Sequence, residues 1–137
     1  MVSFLERERR RCGLLLPIFS LPGPYGMGEL GPAPLRWLDF LSESGQGLWQ
    51  VLPLNPTGHE NSPYQSSSAL ACDPLLIGLE GLKEEGLLEE KDFADFPKIC
   101  GNHIDHGTVR PLRMALLRRA VERFLADGAD KNYENFC

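Results

Sequence analysis

Two short apolar runs, each followed by a long polar loop, constrain the fold of this chain more than any other feature. The runs are Gly13–Phe19 and Leu48–Leu54. Neither alternates apolar with polar residues, which is typical of strands in a parallel sheet that is covered on both faces. Between them, apolar residues recur at helical spacing from Pro34 to Ser44, and Gly45 is placed to end that helix. The order strand, loop, helix, strand predicts a βαβ unit and an α/β fold class.

The two loops are the candidate ligand-binding segments. The first contains four Gly and four Pro in the fifteen residues from Ser20 to Pro34. The second runs from Asn55 to Asp73 and is rich in serine. Both would leave the carboxyl ends of parallel strands, which is the edge where parallel α/β folds bind their ligands.

The remainder of the chain is predicted to be helical. Leu79–Gly86 fits a short helix ended by its glycine, and Val109–Leu125 fits a longer one with Thr108 as N-cap and Pro111 in the first turn. The apolar stripe of the longer helix consists of Leu112, Leu116, Ala120 and Phe124. Its other face carries Arg110, Arg113, Arg118, Arg119 and Arg123, most simply a solvated face.

Charge and cysteine content limit the partners. Nineteen acidic residues against fourteen Lys and Arg give a net charge of −5, which argues against affinity for nucleic-acid phosphates. No apolar run approaches the ~18 residues of a membrane span. The four cysteines are Cys12, Cys72, Cys100 and Cys137. They form no C-x-x-C pair, which suits free thiols in a reducing compartment and predicts a cytoplasmic protein.

The first loop contains a match to the dinucleotide-binding pattern G-x-G-x-x-G. Its glycines are Gly26, Gly28 and Gly31. The pattern requires the first glycine at the strand end, yet six residues separate Phe19 from Gly26. Asn55 stands where an acidic residue should follow the second strand. A glycine-rich loop with positive φ and close backbone contacts is the favoured interpretation, and a nucleotide-binding domain the remote one.

A second pattern offers metal ligands at short spacing. Cys100, His103 and His106 are three residues apart, with Asp105 among them. A structural zinc site takes four ligands, and the fourth would have to come from Cys72 or His59 far away in the sequence. A solvated loop before a helix is therefore preferred, and no metal is expected.

The segment Ser62-Pro63-Tyr64-Gln65 is the preferred candidate site. It would present a hydroxyl, a phenol and an amide together at the ligand-binding edge, as a site for sugar hydroxyls requires. Retaining glycosyl transfer also requires two carboxyl groups about 5–5.5 Å apart. The acids near this edge are Glu29, Glu60 and Asp73, and none directly follows a strand. The chain shows no such catalytic pair.

These segments resemble the amino-terminal part of the 4-α-glucanotransferases, the bacterial amylomaltases and plant disproportionating enzymes. The matching motifs are Gly13-Leu-Leu-Leu-Pro17, Ser20-Leu-Pro-Gly-Pro-Tyr-Gly-Met-Gly-Glu-Leu-Gly31, Asp39-Phe-Leu41 with Gly45, Leu48-Trp-Gln-Val-Leu-Pro-Leu54, Ser62-Pro-Tyr-Gln65, Ser68-Ala69, Asp73-Pro-Leu-Leu-Ile77, His103-Ile-Asp105 and Phe136-Cys137. Their order and spacing are consistent from about Arg11 onward.

The resemblance implies a (β/α)8 barrel, of which this chain would be the incomplete amino-terminal part, since a whole barrel takes about 250 residues. Residues 1–78 would form the first βαβ unit with its ligand-edge loops, and residues 79–137 a mostly helical inserted subdomain. The implied activity is transfer of an α-1,4-glucan segment to glucose or another glucan, with retention of configuration and without metal or organic cofactor. Expected partners are α-1,4-glucans and maltooligosaccharides, with a separate chain as one source of the rest of the barrel.

The resemblance also implies which residues bind. Ser62 and Tyr64 match positions that line the family's glucan cleft, and Gln65 belongs to the same motif. The family often has Phe-Ala-Gly-Asn-Pro where this chain has Leu70-Ala-Cys-Asp-Pro74, so Asp73 replaces an amide. The candidate substrate-binding residues are thus Ser62, Tyr64, Gln65 and Asp73. The catalytic Asp, Glu and second Asp of the family are expected beyond Cys137, which predicts a chain that is inactive alone. A non-catalytic glucan-binding remnant is the alternative.

Overall fold

The computed structural model describes residues 11–94, 96, 103–126, 128 and 133. The strands and helices of these residues are β1 (Gly13–Leu15), α1 (Pro32–Glu43), β2 (Leu48–Gln50), α2 (Leu79–Glu84) and α3 (His106–Ala126). Short 3-10 turns lie at Ile18–Ser20, His59–Asn61, Pro74–Leu76 and Glu90–Phe93.

The predicted βαβ unit and the α/β class are confirmed. β1 and β2 pair in parallel, with Gly13 opposite Leu48 and Leu15 opposite Gln50, and α1 connects them. Gly13 allows this close pairing, because a Cβ there would lie 2.3 Å from the carbonyl oxygen of Leu48. The strands are shorter than predicted, at three residues each. A proline soon follows each of them, at Pro17 and Pro53, and proline cannot donate to a sheet ladder.

The prediction that both strands are covered on their two faces is wrong for the described chain. Leu15 of β1 is 54% exposed and Leu48 of β2 is 52% exposed. Leu35 on α1 is 64% exposed. Within the described residues, the sheet contains only these two strands, and no third strand covers Leu15 or Leu48. Trp49 of β2 is half-buried and packs against core residues.

The ends of the two shorter helices follow the sequence signals. α1 begins at Pro32, two residues earlier than predicted, and proline is well suited to a first helical position. Gly45 and Gly86, which follow α1 and α2, have φ of 69° and 76°. Both glycines therefore end their helices as predicted.

α3 begins earlier than predicted, and its cap differs. The first helical residue is His106, and Asp105 Oδ1 accepts the backbone N–H of Thr108 at 3.2 Å. The hydroxyl of Thr108 donates to Asp105 Oδ2 at 2.7 Å. Asp105 thus caps the helix and the predicted Thr108 N-cap is wrong, because the aspartate three residues earlier takes that role. Pro111 consequently lies inside the helix, beyond its first turn.

Most of the buried apolar side chains form two clusters on one side of α3. The helical cluster consists of Tyr25, Leu79, Leu88, Phe93, Leu116, Leu117 and Ala120. The loop cluster consists of Ile18, Met27, Leu75, Leu76 and Val109. Both clusters join residues from before and after position 78, where the sequence predicts a boundary between two units, and that boundary stays a prediction.

The apolar stripe of α3 is confirmed in part. Leu116 and Ala120 are buried as predicted, whereas Leu112 and Phe124 are half-buried. Val109, Arg113 and Leu117 complete the buried face. Of the helices in the described ranges, none combines the length and the apolar character that crossing a bilayer takes.

Candidate functional site

The preferred candidate residues lie on an exposed turn in the second loop, residues 55–73. The carbonyl of Ser62 accepts the backbone N–H groups of Gly58 and Gln65, each at 3.3 Å. The Ser62 hydroxyl oxygen lies 3.4 Å from the backbone nitrogen of Tyr64. Tyr64 is 73% exposed, and Gln65 is also exposed. The structure therefore brings the predicted hydroxyl, phenol and amide onto one turn, two of them open to solvent.

The approach to this turn has an unusual backbone. Glu60 and Asn61 both have positive φ, at 59° and 58°. Such a conformation costs roughly 1–2 kcal/mol at Glu60, whereas asparagine tolerates it. Gly58 allows the turn to close, since a Cβ there would lie 1.8 Å from the carbonyl oxygen of Gln65. One strained residue and one obligatory glycine thus present Ser62 and Tyr64.

The serines that follow mainly hold the loop's own backbone. Ser68 Oγ accepts the backbone N–H groups of Leu70 at 3.3 Å and Ala71 at 3.1 Å. Asn55 Nδ2 donates to the carbonyl of Ala71 at 3.1 Å. These bonds leave Leu70 97% exposed beside the candidate turn.

Asp73 is buried behind the loop. It is 7% exposed, and its Oδ1 accepts the backbone N–H of Leu75 at 2.9 Å. Its Oδ2 accepts the backbone N–H of Thr57 at 3.3 Å. Both carboxylate oxygens therefore hold the two ends of the second loop in place. Direct contact of Asp73 with a ligand stays a prediction.

In the structure, the first loop spans residues 16–31, between β1 and α1. Its glycines serve close packing. Gly26 has φ of 76°, and a Cβ on Gly28 would lie 2.1 Å from the carbonyl oxygen of Ile18. The N–H of Gly28 donates to the carbonyl of Phe19 at 2.9 Å. The first turn of α1 contains Pro32 and Pro34, which lack two of the N–H groups that a phosphate would use. This geometry agrees with the packing interpretation of the motif and gives no support to nucleotide binding.

The arginine face of α3 is solvated only in part, since Arg118 and Arg119 are exposed but Arg113 is not. Arg113 is fully buried, and its Nη1 lies 2.9 Å from Oε2 of Glu29, a buried residue of the first loop. The angles make this an ion pair rather than a well-aligned hydrogen bond. Arg113 Nη2 also donates to the carbonyl of Ile77 at 2.8 Å. Burial lowers the pKa of Arg113, and the carboxylate of Glu29 opposes that effect.

Three other arginines of α3 also have partners. Arg110 Nη2 donates to the hydroxyl of Thr57 at 2.7 Å. Arg119 and Arg123 contact the carboxylate of Asp92, at 2.9 Å and 2.6 Å. The hydrogen bonds from Arg123 hold the pKa of Asp92 well below its usual range. The prediction is wrong for part of this face, because spacing along one helix does not show which carboxylates fold against it.

A tyrosine of the helical cluster is paired with one further acid. The phenol of Tyr25 donates to the carboxylate of Glu80, and burial together with that carboxylate raises the pKa of Tyr25.

Of the acids near the candidate edge, Glu29 and Asp73 already have structural partners, and Glu60 is exposed in the second loop.

The sequence pattern of possible metal ligands consists of Cys100, His103 and His106, and of these Cys100 lies outside the described residues. Within the part of the chain that the structure covers, no three His, Cys, Asp or Glu side chains are placed to hold a metal ion. His103 is exposed, whereas His106 is half-buried at the start of α3. Burial lowers the pKa of His106, and nearby Arg110 adds to that effect.

Sequence reasoning missed Thr57, Arg110 and Arg113 as residues that support the loops. One signal for Arg113 was present, since it stands four residues after the buried Val109 and three before Leu116, in the middle of the apolar face. A charged residue in an apolar stripe indicates a buried ion pair. No comparable signal marked Thr57.

Comparison with known proteins supports the same region of the chain. A sequence profile of the family described as 4-alpha-glucanotransferase matches residues 16–137. A 4-alpha-glucanotransferase from Aquifex aeolicus is 54% identical over 117 residues, which are 84% of this chain and 24% of that protein. The enzyme of that name from Thermus thermophilus is 42% identical over 93% of this chain and 25% of its own length.

A solved structure gives the same result. An amylomaltase from Streptococcus agalactiae, in complex with acarbose, superimposes with a TM-score of 0.83 and 33% identity, covering 93% of this chain and 26% of that one. The present chain spans about a quarter of the length of the curated relatives that it matches.

Proposed function

We propose, from the premise that this chain belongs to the 4-alpha-glucanotransferase family, that it forms the amino-terminal part of a glycosyl-transferring enzyme. The reaction moves a segment of an α-1,4-glucan to the 4-position of glucose or of another α-1,4-glucan, with retention of configuration. The observation that carries this proposal is the continuous match of residues 16–137 to a family whose relatives share that name. The crystallised neighbour is an amylomaltase in complex with acarbose.

The proposed architecture is a (β/α)8 barrel in which β1 and β2 are the first two strands. The exposed apolar side chains of Leu15, Leu35 and Leu48 support it, because further barrel elements would cover them. Residues 79–137 would belong to a helical insertion. The rest of the barrel would come from the same polypeptide or from a separate chain.

The proposed binding residues have different roles. Ser62, Tyr64 and Gln65 would contact glucan hydroxyls and a sugar face, since two of them are exposed on one turn. Asp73 would act through the loop that it holds. The nucleophilic Asp, the acid/base Glu and the second Asp are assigned to positions after Cys137, and the reaction is proposed to proceed without metal or organic cofactor. The unpaired Cys12 and Cys72 favour a cytoplasmic location.

A chimaera tests the family assignment at the level of activity. Residues 16–137 replace the matched segment of the Aquifex aeolicus relative, and the product is incubated with maltotriose. Chromatography should show glucose and longer glucans, as for the parent. A chimaera that folds but forms no products would contradict the proposal.

The chain alone provides the complementary test. We expect no products from maltotriose, because the proposed catalytic carboxylates are not among its residues. Product formation by the chain alone would show that the carboxylates were assigned wrongly. Retention on an amylose column without turnover would favour the glucan-binding remnant, whereas a thermal shift with a nicotinamide dinucleotide would favour the nucleotide interpretation.

Variants of the candidate turn test the site itself. In the chimaera, Tyr64→Ala should raise the KM for maltotriose about tenfold, which corresponds to the ~1.4 kcal/mol that loss of a ring contact costs. Tyr64→Phe keeps the aromatic ring and removes the hydroxyl, so it separates the contribution of the ring from that of the hydroxyl.

A further inference from the structure

One turn of α3 contacts both the first loop and the second loop. Arg110 donates to the hydroxyl of Thr57 in the second loop, and Arg113 forms an ion pair with Glu29 in the first. Arg113 also donates to the carbonyl of Ile77. Because residues three apart lie on the same side of a helix, both arginines face the loops together.

The contact at Thr57 leads directly to the candidate turn. The backbone N–H of Thr57 donates to Asp73 at 3.3 Å, so Thr57 is held from two sides. The next residue, Gly58, donates its N–H to the carbonyl of Ser62 at 3.3 Å. Any movement of Thr57 would therefore reach the turn that presents Tyr64.

The contact at Glu29 fixes the first loop in a similar way. Arg113 and Glu29 have side chains that are 0% and 5% exposed. The neighbouring N–H of Leu30 donates to the carbonyl of Leu76 at 2.7 Å. A planar guanidinium shared between Glu29 and the carbonyl of Ile77 restricts the orientation of both segments, which an apolar side chain of similar volume would not do.

We propose that Arg110 and Arg113 are positioning residues, which hold the first loop and the second loop, where the candidate glucan-binding residues lie, in one arrangement by connecting both to α3. The inference rests on the proposed function for the identity of the ligand. The ordering of the loops can be measured without any ligand.

Amide hydrogen exchange of the 137-residue chain tests the second loop. The reporters are the N–H groups of Gly58 and Gln65, both hydrogen-bonded to Ser62. Arg110→Gln and Thr57→Val should each accelerate their exchange about tenfold, since each removes the hydrogen bond from a charged donor that holds Thr57. Thr57→Ser keeps the hydroxyl and should exchange at the wild-type rate.

The control for Arg110→Gln is Arg118→Gln. Arg118 is exposed on the same helix, just over two turns further along. Unchanged reporter amides in Arg110→Gln would overturn the proposal. Equal acceleration of these reporters and of the buried amides of Leu116 and Leu117 would also overturn it, because that pattern indicates a general loss of stability.

A paired replacement tests the first loop. Glu29→Leu with Arg113→Met removes both charges of this buried pair, and such apolar replacements often keep a protein folded. The N–H groups of Gly28 and Leu30 should then exchange faster while the melting temperature stays near that of the wild type. Wild-type exchange at both amides would overturn the role of Arg113. If the double variant does not fold, the exchange results for the Arg110 and Thr57 variants decide whether the proposal stands.

Glucan affinity separates this inference from the proposed function. In the chimaera, binding of maltoheptaose should weaken several-fold in Thr57→Val and not in Thr57→Ser. No binding of maltoheptaose to the wild-type chimaera would contradict the proposed function and would leave the exchange result standing. Equal affinity of Thr57→Val and wild type, despite a loosened loop, would overturn the positioning role.

Discussion

The βαβ unit of β1, α1 and β2 differs in burial from the α3 assembly. The α3 assembly consists of α3 together with α2 and the loop residues that pack on it. Leu15, Leu35 and Leu48 of the βαβ unit are 54%, 64% and 52% exposed. Leu79 and Val109 of the α3 assembly are 0% exposed. Both regions are apolar in sequence. Within the described chain, Leu41 of the βαβ unit is buried but most of its other large apolar side chains are exposed, whereas the α3 assembly buries most of its own. The stability of this chain should therefore depend on α3 rather than on its strands.

The largest effect is expected at the buried ion pair. Arg113→Met should lower the free energy of unfolding by about 3–5 kcal/mol, because it leaves the carboxylate of Glu29 buried without a partner. Urea unfolding measures it. Arg118→Met, at an exposed position of the same helix, should change stability by less than about 0.5 kcal/mol. Equal losses in both variants would mean that the ion pair contributes nothing particular.

The next effect compares one leucine from each region. Leu79→Ala should cost about 2–5 kcal/mol, since Leu79 is fully buried in the helical cluster. Leu38→Ala on α1 should cost less than about 0.5 kcal/mol, because Leu38 is 46% exposed. Thermal and urea unfolding provide the comparison. A larger loss for Leu38→Ala would show that the βαβ unit, rather than the α3 assembly, stabilises the chain.

A smaller loss is expected where the second loop joins the α3 assembly. Asp73→Ala removes the acceptor for the N–H groups of Thr57 and Leu75, and should cost about 1–2 kcal/mol, as for other lost caps. Asp73→Asn retains one carbonyl oxygen and should lose less. Urea unfolding of the two variants gives the order, and the reverse order would argue that the charge of Asp73 matters more than its hydrogen bonds.

The smallest effect is a pH dependence at the start of α3. Burial lowers the pKa of His106 below its unfolded value of about 6.5, so protonation favours the unfolded chain. The stabilisation that neutral His106 contributes should be fully present above about pH 6.5, and it should decrease as the pH falls through that value. His106→Gln should flatten the decrease between about pH 7 and pH 5. His103→Gln, a change at an exposed site nearby, is the control, and the same flattening there would contradict the assignment.

Several features of the fold could be predicted from neighbouring residues alone. The parallel βαβ unit followed from two apolar runs separated by a helical pattern, and the helix ends at Gly45 and Gly86 followed from glycine's tolerance of positive φ. The location of Ser62 and Tyr64 on a loop followed from local composition. Family membership followed from ordered motifs and is supported by the match of residues 16–137.

Other features depended on residues far apart in the chain. The apolar composition of the strands could not show that their side chains remain exposed here, because exposure depends on which elements pack against them. The pattern of α3 could not identify Glu29 as the partner of Arg113, or Thr57 as that of Arg110. Sequence therefore determined the local conformations and the family, because both reside in short segments. Only the tertiary structure decided which charges are buried together and how α3 supports the loops, because those contacts form between distant segments when the chain packs.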